Sequence, residues 1–238
     1  MNIKIYTGVI ILLCALVPLA SAEEENLYIN KEYGVEIKGP DGWYKTVYEY
    51  APAREMYEGV MGERFDIEKE VEQSLQRALE NNPEIKLTKE QEEKIKNNTR
   101  KEIERVALVT FEKSGQADSR AVILLAVSNV SDMKDVTSAL DFAKDMISLA
   151  QLPPSGIEVL KSPAMVNING NEMVNYITHA YDDDIEEYVR NSIYYFIKEA
   201  ELYALSCTIT FPAEDEEMIK AFEEAFQKSV DSYKIRNP

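Results

Sequence analysis

Histidine occurs once in this chain, as His179, tryptophan once, as Trp43, and cysteine twice, as Cys14 and Cys207. A zinc site of imidazole and thiolate ligands, or a nucleophile–imidazole triad, needs further donors or a positioned nucleophile. The sequence also lacks a Gly-x-Ser-x-Gly elbow, a Cys-x-x-Cys pair and a glycine-rich phosphate loop, the local signatures of three large enzyme classes. Cationic side chains are scarce: 26 Lys and Arg stand against 43 Asp and Glu, a net charge of −17. Such a field repels phosphate backbones and anionic lipid surfaces, which excludes nucleic acid as the expected partner. Beyond the N-terminal stretch, no apolar run reaches the length of a membrane-spanning helix.

That N-terminal stretch reads MNIKIYTGVIILLCALVPLASA. Lys4 gives a short positive region, Val9 to Val17 an apolar run, and Ala20-Ser21-Ala22 the small-x-small form of a signal-peptidase site. Residues 1–22 therefore read as a secretory signal peptide cleaved between Ala22 and Glu23, since the run is too short for a permanent span. The expected location is periplasmic or secreted, with no stable membrane insertion after cleavage. Only Cys207 would remain, so no internal disulfide is expected and stability must come from packing.

Within residues 23–238, expected to form a single domain, strand patterns dominate. Gly34 to Lys38 and Trp43 to Tyr50 alternate around Gly39-Pro40-Asp41-Gly42, which reads as a hairpin turn anchored by a buried Trp43. Residues 55–105 differ: Ile67, Val71, Leu75 and Leu79 recur at helical spacing, and Thr88 with Gln91 forms a capping-box pattern before a second helix. This predicts a charged helical hairpin inserted into the domain and loosely docked on it. Val122 to Val127 is apolar without alternation, as in a strand covered on both faces. A helix with the stripe Val136, Ala139, Leu140, Ala143 and Ile147 follows, then four strand candidates between 157 and 211 with an Asn169-Gly170 hairpin signal, then a last helix over Met218 to Tyr233. The pattern predicts an α+β fold, an antiparallel sheet of about six to eight strands covered by helices on both faces.

The segments YGVEIKGPDGW, VNINGNEMVNYITHAY, NSIYYFIKEAELYALSCTITFP and AFEEAFQKSVDSYKI, in that order, resemble the PsbP-like superfamily. That group includes the extrinsic photosystem II protein and DcrB-like bacterial envelope proteins. The resemblance covers residues 28–54 and 106–236 and implies a PsbP-like three-layer sandwich with the helical insertion 55–105. It implies no catalytic residues, because the superfamily shares no common active site.

The densest carboxylate cluster is Asp182, Asp183, Asp184, Glu186 and Glu187. Oxygen donors this close are the one weak metal candidate, although an Asp-x-Asp-x-Asp-Gly calcium loop is absent. The plainer expectation is a solvated turn between strands. His179 is expected on a strand face near solvent, and Cys207 on the apolar face of its strand as a buried, inert thiol. Tyrosine, at 14 residues, is the notable surplus, and an apolar ring with a polar tip suits interfaces. The expectation is an exported non-enzymatic binding or accessory protein of the cell envelope that uses no cofactor and has another envelope protein as partner. The alternatives are a hydrolase or other enzyme with an acidic site at 182–187, and a small-molecule or metal carrier.

Overall fold

The computed structural model describes residues 26–48, 105–115, 119–131, 138–151, 156–182, 185–213 and 215–235, with single positions between 69 and 100. Short strands open the chain: β1 (Leu27–Asn30), β2 (Val35–Lys38) and β3 (Tyr44–Val47). Longer ones follow as β4 (Val106–Ser114) and β5 (Arg120–Asn129), then helix α1 (Ala139–Ala150). Four consecutive strands come next, β6 (Glu158–Ile168), β7 (Asn171–Asp182), β8 (Glu187–Lys198) and β9 (Glu201–Phe211). Helix α2 (Glu216–Ser232) and the two-residue β10 (Lys234–Ile235) complete the described chain.

These strands form two sheets. The larger has seven strands in the order β3-β4-β5-β9-β8-β7-β6, and the smaller three in the order β1-β2-β10. Every pairing is antiparallel. The expected single helix-covered sandwich, and with it the PsbP-like three-layer arrangement, is corrected by this topology. The described residues are mostly strand, the sheet is split in two, and α1 and α2 are the two helices defined among them.

The turn at Gly39 to Gly42 shows why. It does not close a hairpin: β2 pairs with β1 and β10, whereas β3 pairs with β4, so the turn carries the chain from one sheet to the other. Asn26 fastens this crossing, donating from Nδ2 to the carbonyls of Pro40 and Trp43. Gly39 lies so close to the second sheet that a Cβ there would sit 2.1 Å from a ring carbon of Phe111. Strand alternation in sequence indicates that a strand exists, but its partner is chosen by contacts far along the chain. For β2 the second partner, beside β1, is the two-residue β10, held by the Lys234–Glu36 ion pair at 2.9 Å.

The helical hairpin expected at 55–105 is not among the defined elements and lies for the most part outside the described residues. Two of its described positions, Val71 and Leu75, are buried, and Lys96 Nζ lies 2.7 Å from Glu72 Oε2.

Alternation sorts the seven-stranded sheet into two faces. One carries Ile123, Leu125, Tyr203, Leu205, Cys207, Ile209 and Phe211, packed under α2 and the small sheet through Phe222, Phe226, Val230, Val35 and Ile37. The opposite face buries Val174, Tyr176, Tyr195, Leu202 and Ala204 against Phe142, Ala143, Met146 and Ile147 of α1. Both helices start on a side-chain cap. Ser138 Oγ accepts from the Asp141 amide at 3.1 Å, and Asp215 Oδ1 accepts from that of Met218 at 3.0 Å. Each cap satisfies one of the otherwise unpaired first-turn amides.

Candidate functional site

The β7–β8 hairpin is joined at one end by residues 183–186, inside the acidic cluster. Its register brings Tyr181 opposite Tyr188 and Asp182 opposite Glu187. On the next pairing, Tyr188 lies opposite Phe211 of β9. Three aromatic residues thus form one row across three neighbouring strands. His179, two residues back on β7, adds a fourth ring on the same face.

The rings are in contact. Tyr181 meets Tyr188 edge-on with centroids 5.0 Å apart. His179 stacks on Tyr188 at 5.6 Å with 6° between the planes, and on Phe211 at 6.0 Å with 19°. Tyr188 and Phe211 are stacked at 5.7 Å. Offset stacking and edge contacts at these distances are the favoured aromatic geometries. Phe211 is fully buried, Tyr188 and His179 are half-buried, and Tyr181 is 46% exposed. The row is a graded platform, rooted in the core under α2 and open to water at its outer end. Ile185, in the connection, adds a second exposed apolar side chain at that end.

Asp182 pairs with Glu187 across the hairpin, one position beyond the Tyr181–Tyr188 pair, so these two carboxylates alternate to the opposite face of the sheet from the rings. Glu186 stands next to them, exposed, at a positive φ of 56°. One residue row inward, Arg190 of β8 faces His179 across the pairing and donates from Nη1 to Glu223 Oε1 of α2 at 3.3 Å. That largely buried guanidinium ties the inner end of the platform to the helix.

The sequence-derived candidates fall into place unevenly. His179 belongs to the platform. Of the acidic cluster, Asp182, Glu186 and Glu187 are described, whereas Asp183 and Asp184 lie outside the described residues. Among the described residues no group of three His, Cys, Asp or Glu side chains is arranged to hold a metal ion. Cys207 is buried in the main core, and burial, then the Glu223 carboxylate, push its thiol above the ordinary range, which keeps the proton on sulfur. Trp43 lies in the same core, edge-on to Phe222 at 5.9 Å. The proposed cleavage pair Ala22 and Glu23 lies outside the described residues. Tyr44 is exposed on edge strand β3 and Tyr48 is partly buried beyond it.

What sequence reading missed is the platform itself. Its members stand at 179, 181, 188 and 211, with no helical or metal-ligand spacing between them. One signal was available. Tyr181 and Tyr188 flank the acidic connection symmetrically, and hairpin pairing places such residues opposite each other.

No protein-family model matches this chain, and no curated protein matches it. Among solved structures, it is similar to PA94 from Pseudomonas aeruginosa, a protein of unknown function. The two share 17% identity with a TM-score of 0.42, over 54% of this chain and 82% of that one. At that similarity neither fold nor function passes between them. No helix among the described residues is long and apolar enough to cross a membrane.

Proposed function

We propose that this chain is an exported, non-enzymatic binding or accessory protein of the cell envelope, and that the outer end of the β7–β8 hairpin is its binding surface. The observation that carries the reading is the aromatic platform with Tyr181 and Ile185 left in water at its end. Isolated exposed apolar residues are ordinary on protein surfaces. Here Tyr181 is the outer member of a contiguous set of packed rings, and Tyr is enriched at the centre of protein interfaces. The rigid root of the platform supports the same role, because little side-chain entropy is lost when a partner covers rings already fixed by stacking. Export rests on Lys4, the apolar run and Ala20-Ser21-Ala22.

Recovery of the protein from its native envelope tests both parts. The mature N-terminus should be Glu23, and a start at Met1 would remove the signal-peptide reading. The wild-type protein should retain a discrete bound protein that the double variant Tyr181→Ala, Ile185→Ser loses, with unchanged thermal unfolding. Equal retention by the variant would move the binding surface elsewhere.

A further inference from the structure

Strand β5 ends at Asn129, and Asn129-Val130-Ser131 has the Asn-x-Ser/Thr form of an acceptor for N-linked glycans in secreted proteins. We propose that Asn129 carries an oligosaccharide on its carboxamide nitrogen. This rests on the export reading above, because such glycans belong to the surfaces of secreted chains. A bare triplet arises by chance in many sequences, but this one is held in a reactive form. Val130 fixes its middle: the amide donates to the Ala200 carbonyl at 2.8 Å, and the side chain is buried in the cluster packed on α1. Asn129 and Ser131, on either side of it, are exposed. The Asn129 carboxamide is held at its oxygen alone. Oδ1 accepts from the Ser131 amide at 3.0 Å and from the Ser131 hydroxyl at 2.6 Å. Nδ2 donates to no group among the described residues.

An amide nitrogen is a poor nucleophile, because resonance delocalises its lone pair into the carbonyl. Two hydrogen bonds to Oδ1 draw electron density from the carboxamide and ease loss of a proton from Nδ2. In the transfer, Nδ2 attacks C1 of a sugar activated as a polyprenyl diphosphate. The Nδ2–C1 bond forms and the bond from C1 to the phosphate oxygen breaks. The lipid diphosphate leaves with that electron pair, and the Nδ2 proton passes to a carboxylate base of the transferase. Threonine in place of Ser131 supplies the same hydroxyl, whereas alanine supplies none. A second triplet, Asn97-Asn98-Thr99, differs. Asn97 has helical backbone, its Oδ1 accepts from Arg100 Nη1 at 2.7 Å, and Thr99 lies outside the described residues. Asn129 is therefore the acceptor of the two.

The test is mass spectrometry of the full chain recovered from its native envelope and digested with trypsin. Cleavage after Arg120 and Lys134 releases residues 121–134, and cleavage after Lys96 and Arg100 releases residues 97–100. The 121–134 peptide should be heavier by an oligosaccharide and should give sugar fragment ions, and the 97–100 peptide should have its unmodified mass. Asn129→Gln and Ser131→Ala, each expressed in the same cells, should lose the increment, whereas Ser131→Thr should keep it. Both side chains are exposed, and thermal unfolding checks that the variants are folded. An unmodified 121–134 peptide in the native protein overturns the proposal. So does an increment that survives Asn129→Gln or Ser131→Ala, or one found on 97–100 alone. The mature N-terminus separates this proposal from the export reading. A start at Glu23 with a bare Asn129 leaves export standing and removes the glycan, whereas a start at Met1 with a bare Asn129 removes both.

Discussion

Trp43→Ala should destabilise the protein by about 3 to 5 kcal/mol, a large part of a total stability of roughly 5 to 15 kcal/mol. The side chain is only 8% exposed and packs edge-on against Phe222 of α2. Its carbonyl accepts from Asn26 Nδ2, and its amide donates to the Pro40 carbonyl at 3.3 Å. The indole therefore sits where the crossing between sheets meets the helix that covers the larger one. Its removal leaves a cavity bordered by three separate elements, which limits how far the site can collapse. Chemical denaturation of wild type and variant measures the loss. Fluorescence gives a second reading, because the chain has a single tryptophan. Native emission should be blue-shifted and should move red on unfolding. A red, easily quenched native emission with unchanged stability would show that Trp43 faces solvent and would make the first turn a ligand-binding loop.

Phe111→Ala should cost a similar amount, about 3 to 5 kcal/mol, and its interplay with Gly39 is the more telling result. Phe111 is fully buried in the main core, and its ring occupies the space where a Cβ on Gly39 would stand. Gly39→Ala alone should therefore cost about 1 to 3 kcal/mol through overpacking. In the double variant the ring is gone and the new methyl no longer collides with it. The combined loss should be smaller than the sum of the two single losses, a coupling of the kind that residues in contact display. Denaturant midpoints with an unchanged slope would measure it. Strict additivity would mean that the crossing and β4 do not touch.

These two residues also mark how far the sequence could be read. Trp43 was recognisable as an anchor, because it follows a turn and precedes an alternating run. The partner of that run was not recognisable, since β2 and β3 look like one hairpin in sequence and join different sheets in space. Lys234–Ile235 carries no periodic signal, yet it supplies the third strand of the small sheet. By contrast, β7, β8 and β9 were legible. Their alternation is long, and Asn169 and Gly170 take the positive φ values of 53° and 85° that a two-residue hairpin needs.

At the candidate site the sequence showed the acidic connection and missed the rings beside it. Composition singled out tyrosine, but convergence depends on register, which brings residues 181, 188 and 211 into one row. A shift of one residue would turn Tyr181 to the opposite face of the sheet.

The most direct test of the binding surface is photocrosslinking at Tyr181. A benzophenone amino acid replaces Tyr181 in one version of the exported protein and Lys220 in another. Lys220 lies on α2 with its side chain 76% exposed. In the native envelope, irradiation should give one discrete adduct from position 181 and none from position 220. No adduct at 181, or the same adduct from both positions, would contradict the assignment of the β7–β8 end as the surface through which this protein acts.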